Sequence, residues 1–150
     1  MKEFNRILFP VDFSESSGKI VPYVQTVAQK FGSQIHILFA ARVFDHFTSI
    51  YVPHPSINKF EKELIEGAEK RLYEFMDENF KEFPQTKTAV AAGDPSEEII
   101  NYIQEHKIDL VIMGTHGRKG MDKILFGSVA ERVVKTAQVP VMVVNPHKAE

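Results

Sequence analysis

The chain has 150 residues, 43% hydrophobic and 25% charged, with a net charge of -2 and no cysteine. That length suits one domain, read over 1–150, which buries a core without metal or disulfide staples, and the missing thiols remove disulfides, thiolate metal sites and a cysteine nucleophile together. The balanced charge, with no Lys/Arg-rich run, gives no electrostatic reason for a nucleic-acid partner.

No apolar stretch approaches the ~20 residues needed to cross a bilayer. The amino terminus leads into a strand pattern rather than a secretion signal. A cytoplasmic protein without a membrane partner is the expectation.

Residues 6–11 begin with Ile7, Leu8 and Phe9 and read as a strand that stops at Pro10, because proline donates nothing to a ladder. Val11 and Asp12 follow, and side chains just past the carboxyl end of a parallel strand face a ligand crevice. Asp12 therefore either accepts hydrogen bonds from a ribose or base, or caps the next helix with Ser14 or Ser16. Ile20, Val24, Val27, Ala28 and Phe31 recur at helical spacing over 16–31, and Gly32 is the stop. Pro22 fits such a helix only in its first turn, which moves the start toward Gly18, or as a kink.

Residues 34–41 alternate Ile35, Ile37 and Phe39 with His36, Leu38 and Ala40, which predicts a second strand with His36 as a partly buried strand residue rather than a ligand. The least regular stretch, 43–57, carries Phe44, Phe47, Tyr51, His46 and His54; its aromatics either pack back on the core or form a lid or partner surface. Over 58–83 an apolar stripe of Phe60, Leu64, Ala68, Leu72, Phe75 and Phe80 predicts a long helix, opened by a capping box of Asn58 and Glu61 and closed before Pro84. Residues 86–92 read as the third strand. In Gly93-Asp94-Pro95, Asp94 is the N-cap, Pro95 the first helical residue and Glu97 the closing member of a box, and Ile99, Ile100 and Ile103 bury the helix that follows.

Residues 109–113 form a buried strand, and behind it glycines recur as Gly114-x2-Gly117-x9-Gly127-Ser128. Glycine serves backbone at φ > 0 or in close approach to a ligand. Amides of the 114–117 turn can form an anion nest, and the helix over 127–137 offers further free amides at Gly127, Ser128 and Val129. Arg118 and Lys119 add positive charge suited to a polyphosphate. The alternative is a surface loop ended by a capping glycine and serine. Neither G-x-x-x-x-G-K-[ST] nor G-x-G-x-x-G is present.

Strands and helices alternate throughout, which predicts an α/β fold with an open five-stranded parallel sheet, order 3-2-1-4-5, and helices on both faces. That order brings Asp12 and the Gly114 turn to one crevice. The last strand, over 139–144 (Val139, Pro140, Val141, Met142, Val143, Val144), is an apolar edge, and a homodimer through antiparallel pairing of this edge is expected.

The glycine spacing, preceded by Val111-Ile112-Met113 and followed by Val-Pro-Val-Met-Val-Val, resembles the ATP-binding signature of the universal stress protein family. Ile7-Leu8-Phe9-Pro10-Val11-Asp12-Phe13-Ser14 resembles that family's first strand and turn, and Gly93-Asp94-Pro95 its third strand-to-helix turn, so the likeness covers nearly the whole chain. It implies a Rossmann-like, adenine nucleotide alpha hydrolase-like sheet and a regulatory, stress-response homodimer that binds ATP with Mg2+. Adenine and ribose would lie against Pro10, Val11, Asp12, Ala40 and Met113, and phosphates against Gly114, Gly117, Gly127, Ser128 and Val129, with His116 and Arg118 nearby. Ala40 departs from the larger aliphatic usual there.

Turnover is expected to be slow or absent. The rival is a slow ATP hydrolase or phosphotransfer enzyme recruiting His116, Asp12 or Asp122. A nucleotide-free dimerisation module is a third reading, against which the retained glycines argue. A protein client is compatible with each.

Overall fold

A computed structural model describes residues 1–42, 55–116 and 127–148, with side chains in the second helix described from residue 59 onward. Five strands, β1 (Arg6–Val11), β2 (Gln34–Ala41), β3 (Lys87–Ala92), β4 (Leu110–Gly114) and β5 (Val141–Val144), alternate with α1 (Glu15–Phe31), α2 (Pro55–Asn79), α3 (Pro95–Glu105) and α4 (Ser128–Thr136). All strand pairs are parallel, in the order β3-β2-β1-β4-β5. This is the open parallel sheet, in the strand order, expected from the alternating pattern.

Period-2 alternation along the strands divides the core. Ile7, Phe9, Ile35, Ile37, Leu110 and Ile112 face α1 and α2, where Ile20, Val24 and Leu72 meet them. Leu8, Leu38, Val111 and Met113 face α3 and α4, where Ile99, Ile103 and Val133 meet them. Each such fully buried aliphatic side chain contributes about 1.5–3 kcal/mol.

Pro10 lies inside central β1, paired with Leu38, instead of ending the strand. The Asp109 N–H donates to the Arg6 carbonyl at 3.0 Å, so the even-numbered residues of β1 face β4. Pro10 stands where the next N–H toward β4 would be, and the β1–β4 register reaches only Leu8↔Val111. The two central strands therefore part at their carboxyl ends. A crevice opens there, at the switch point of the sheet.

The helices depart from expectation in definite places. α1 starts at Glu15 and not near Gly18, so Pro22 lies inside the helix beyond its first turn. Gly18, whose carbonyl loses its i+4 donor, is exposed like Pro22, so water can take that carbonyl. Phe31 is 42% exposed and packs edge-on against Phe4 instead of entering the core. α2 begins at Pro55, a favoured first helical residue, which leaves Asn58 inside the helix and rules out the Asn58–Glu61 box. Ala68, Leu72 and Phe80 of its stripe are buried, whereas Phe60 and Leu64 are 48% and 42% exposed. The helix ends at Asn79, and the Phe83 N–H donates to the Phe80 carbonyl in the turn that follows.

Small shifts occur elsewhere. β3 starts at Lys87, β4 spans Leu110–Gly114, and β5 starts at Val141, after Val139 and Pro140. The Asp109 carboxylate, ahead of β4, accepts the N–H groups of Asn5 and Arg6 at 2.9 and 3.1 Å and ties the start of β1 to its neighbour. Residues 43–54, with Phe44, Phe47, Tyr51, His46 and His54, lie outside the described residues, as do Gly117, Arg118, Lys119 and Asp122. Among the described residues, no helix is long and apolar enough to cross a membrane.

Candidate functional site

The turn from β1 into α1 is organised on one carboxylate oxygen. Asp12 Oδ1 accepts the Ser14 N–H at 3.0 Å, the Ser14 hydroxyl at 2.5 Å and the Ser17 hydroxyl at 3.0 Å. Ser14 is the N-cap by position, yet its own side chain makes no capping bond. Asp12 thus does part of the capping work, while no described residue bonds its Oδ2. Between them stands Phe13 with φ 62°, a left-handed conformation that costs a residue with a side chain about 1–2 kcal/mol.

At the carboxyl end of β4, the Thr115 N–H continues the ladder to the Val144 carbonyl at 2.9 Å. Thr115 Oγ1 lies 2.8 Å from His116 Nδ1, and both residues are buried. The His116 ring meets His147 edge-on, with centroids 5.4 Å apart. The Gly127 N–H then donates to the Thr115 carbonyl at 2.6 Å, placing the start of α4 against the end of β4.

This changes the reason for the glycines. Gly127 has φ -71°, open to any residue, but a Cβ there would lie 3.1 Å from the Thr115 carbonyl oxygen. At Gly114 a Cβ would lie 3.3 Å from the His116 carbonyl oxygen. Crowding by backbone, and not a positive φ, is what both positions satisfy. The Gly127 N–H is also spent on Thr115, contrary to the expectation that it is free for phosphate. Ser128, Val129 and Ala130 supply the first-turn amides of α4, which have no intrahelical acceptor and no capping side chain.

These segments enclose a cleft of about 310 Å³, within the range of ~300–1,000 Å³ usual for small-ligand sites. Pro10, Val11, Asp12, Ala40, Met113, Gly114, His116, Gly127, Ser128 and Val129 all line it, so every described member of the expected set is brought together. Gly117 and Arg118 fall outside the described residues. Ser16, Ser17, Ile20, Phe39, Pro95, Ile99 and Thr115 also line the cleft and were not expected there. Phe39 had a signal in sequence, since it adjoins Ala40, which was named for the site. Ile20 and Ile99 had none, because helical apolar residues read only as core.

Beside the cleft, Asp94 caps α3, accepting the Glu97 N–H at 3.1 Å and the Ser96 hydroxyl at 2.6 Å. The Ser96 hydrogen bond, then the Glu97 amide, holds its carboxyl below the usual range, with Arg132 and Arg42 adding to the effect. The expected reciprocal box is only half made: Glu97 turns to Arg132 at 3.5 Å. Among the described residues, Gly93, at φ 149°, is the one glycine of this site region whose conformation itself requires glycine.

His36 lies away from this cleft. It is buried, with Nδ1 2.7 Å from the Tyr102 hydroxyl and Nε2 3.1 Å from Gln34 Oε1. The expected strand role is the one it fills. Among the described residues, no group of three or more His, Cys, Asp or Glu is arranged to hold a metal.

The model of the Universal stress protein family matches residues 3–145. The chain belongs to the universal stress protein family. Universal stress protein MJ0531 of Methanocaldococcus jannaschii is 30% identical over 98% of this chain and 85% of its own length. The solved structure of MJ0577 from the same organism is 28% identical, covers 96% of this chain and 97% of its own, and superposes with a TM-score of 0.77. The universal stress protein from Archaeoglobus fulgidus in complex with dAMP shares the fold at 15% identity and a TM-score of 0.58, covering 96% of this chain and all of its own. In this universal stress protein the cleft occupies the carboxyl ends of the central strands, where open parallel sheets place their ligands.

Proposed function

We propose that this universal stress protein is an ATP-binding regulatory homodimer, with nucleotide in the cleft between β1 and β4 and with slow or absent turnover. The observation that carries the reading is the meeting of Asp12, Met113 and Gly114 with the uncapped amino terminus of α4 in a single cleft. A helix start with three unbonded amides attracts phosphate. Asp12 offers an acceptor of the kind a ribose hydroxyl needs, and Phe39, Ala40, Ile99 and Met113 supply apolar walls for a base.

The dAMP held by the Archaeoglobus fulgidus protein supports an adenine nucleotide as the ligand class. Magnesium would arrive with the triphosphate, ligated mainly by phosphate oxygens and water. Ser128 would then contribute a hydroxyl to a phosphate oxygen or to the ion. Gly117 and Arg118 belong to the same proposed phosphate set, and a cytoplasmic setting suits a nucleotide ligand. An Asp12 whose Oδ1 is committed to Ser14 and Ser17 is better suited to orient a ligand than to abstract a proton.

Dimerisation through β5 is supported by its edge position and by Met142, 36% exposed upon it. The Thr115 and Val111 N–H groups take the Val144 and Pro140 carbonyls, so Val141 and Val143 present their backbone groups outward.

Calorimetric titration of ATP and magnesium into wild type and Ser128→Pro tests the site. Proline is favoured at the first helical position, and Gly127 already has the extended backbone, ψ 158°, that a residue before proline requires. The variant should fold normally and lose about tenfold or more in affinity, the worth of one hydrogen bond to a charged group. Equal binding by the two proteins refutes the assignment.

A further inference from the structure

We propose that Phe13 is a positioning residue, whose ring, gripped by Phe39 and Arg71, sets the Asp12 carboxylate toward a ligand hydroxyl; this rests on the reading of the cleft as a nucleotide site. The reason begins with the backbone. A left-handed φ of 62° is one that glycine would adopt freely, yet a phenylalanine holds it between Asp12 and the helix start. Unfavourable backbone of this kind persists only where surrounding contacts over-determine it, and it gathers at ligand sites.

Those contacts come from two other elements. The Phe39 ring, near the end of β2, lies with its centroid 4.5 Å from that of Phe13 at a 40° tilt, and Phe39 itself lines the cleft. From α2, the Arg71 guanidinium carbon sits 4.4 Å from the centre of the Phe13 ring, within cation–π range. Two segments distant in sequence thus converge on one side chain in a tight turn.

The turn's output is the orientation of Asp12. With residue 13 left-handed, the Ser14 N–H and hydroxyl both return to Asp12 Oδ1, and Ser17 completes the set. That fixes one carboxylate oxygen from behind. Oδ2, which no described residue bonds, is left to the cleft that Asp12 lines. If residue 13 relaxed to a right-handed conformation, the peptide before Ser14 would rotate and the bonds from Ser14 would go. The carboxylate would then sample several orientations. The ligand feature read by a carboxylate so held is a hydroxyl donor, such as a ribose diol.

The test compares ATP with 2′,3′-dideoxy-ATP, which lacks the diol, by calorimetry in the presence of magnesium on wild type, Phe13→Gly and Arg71→Met. Wild type should favour ATP by about tenfold or more, as one charge-assisted hydrogen bond allows. Phe13→Gly keeps the turn sterically allowed and so should fold; its preference should drop to within about threefold, with dideoxy affinity unchanged. Arg71→Met should move the ratio the same way by less. A wild-type ratio near one, an unchanged ratio in Phe13→Gly, or an equal loss for both nucleotides would mean that the ring only packs, and overturns this proposal alone. Wild type that binds neither nucleotide overturns the cleft assignment, and this proposal with it.

Discussion

The Gly127 N–H donates to the Thr115 carbonyl at 2.6 Å, so the chain that leaves β4 returns to its point of departure before α4 begins. This bond aims the amino terminus of α4 at the cleft rather than past it. The remaining first-turn amides, of Ser128 and Val129, then share the cleft with Asp12 and Met113.

A methyl group at residue 127 would press on the Thr115 carbonyl oxygen from 3.1 Å. Gly127→Ala should therefore lose about 1–3 kcal/mol of stability through overpacking and a poorer N-cap. Urea unfolding at constant m-value measures it. ATP affinity should fall with it, because the same contact sets the direction of α4. A variant as stable as wild type would mean that the backbone parts without strain and that the crowding is incidental.

His36 makes stability depend on pH. Its pKa is lowered from 6.5 to about 4, first by burial and then by the charges of His106, Lys87 and Arg6. Between those values the unfolded chain holds the extra proton, so the contribution is whole above about 6.5 and is lost as pH falls toward 4, by up to about 3 kcal/mol. Neutral His36 fits its partners: Nε2–H donates to Gln34 Oε1, and Nδ1 accepts from the Tyr102 hydroxyl. Replacing both His36 and Tyr102 by phenylalanine should flatten urea midpoints across this range. A slope equal to wild type would assign the effect to other groups.

Asp94 separates a cap from its ion pairs. Asp94→Ala removes the acceptor for Glu97 N–H and should cost about 1 kcal/mol, within the ~0.5–2 kcal/mol typical of an N-cap. Asp94→Asn keeps that acceptor and loses only the pairs to Arg42 and Arg132, whose side chains are 67% and 56% exposed. Such exposed pairs contribute little. Thermal midpoints should rank wild type and Asn close together and Ala well below; Asn as low as Ala would show that the charge matters more than the cap.

The proposed dimer depends on the outward N–H of Val143. Val143→Pro removes that donor while the bonds of β5 to β4, made through Pro140 and Val144, stay in place. Light scattering should report a dimer for wild type and a folded monomer for the variant. A variant that remains dimeric places the interface elsewhere.

The strand order and the division of the core were legible because period-2 alternation in β2 and unbroken apolar runs in β1 and β4 are local signals. Errors arose where a local signal had a rival. Asn58 and Glu61 imitate a capping box, but Pro55 three residues earlier is equally good helix-starting chemistry and the helix begins there. The first-turn placement of Pro22 was the alternative that failed, because its tolerance farther inside the helix depends on whether the Gly18 carbonyl meets solvent, which no local pattern records. Gly114 and Gly127 line one cleft, as their spacing suggested, but the reason read from sequence was incomplete, since the crowding at Gly127 comes from a carbonyl twelve positions back in the chain. Ile20 and Ile99 in the cleft stayed invisible because a helix face that covers the sheet and one that borders a cleft carry the same apolar code.

Amide chemical shifts followed by NMR during a titration with ATP and magnesium bear most directly on the central claim. Saturable, downfield movement of the Ser128 and Val129 amides, together with changes at Asp12 and Gly114, is the expected result, because phosphate would take the unbonded donors at the start of α4. Binding that leaves those four residues still, or no binding at millimolar nucleotide, would contradict it.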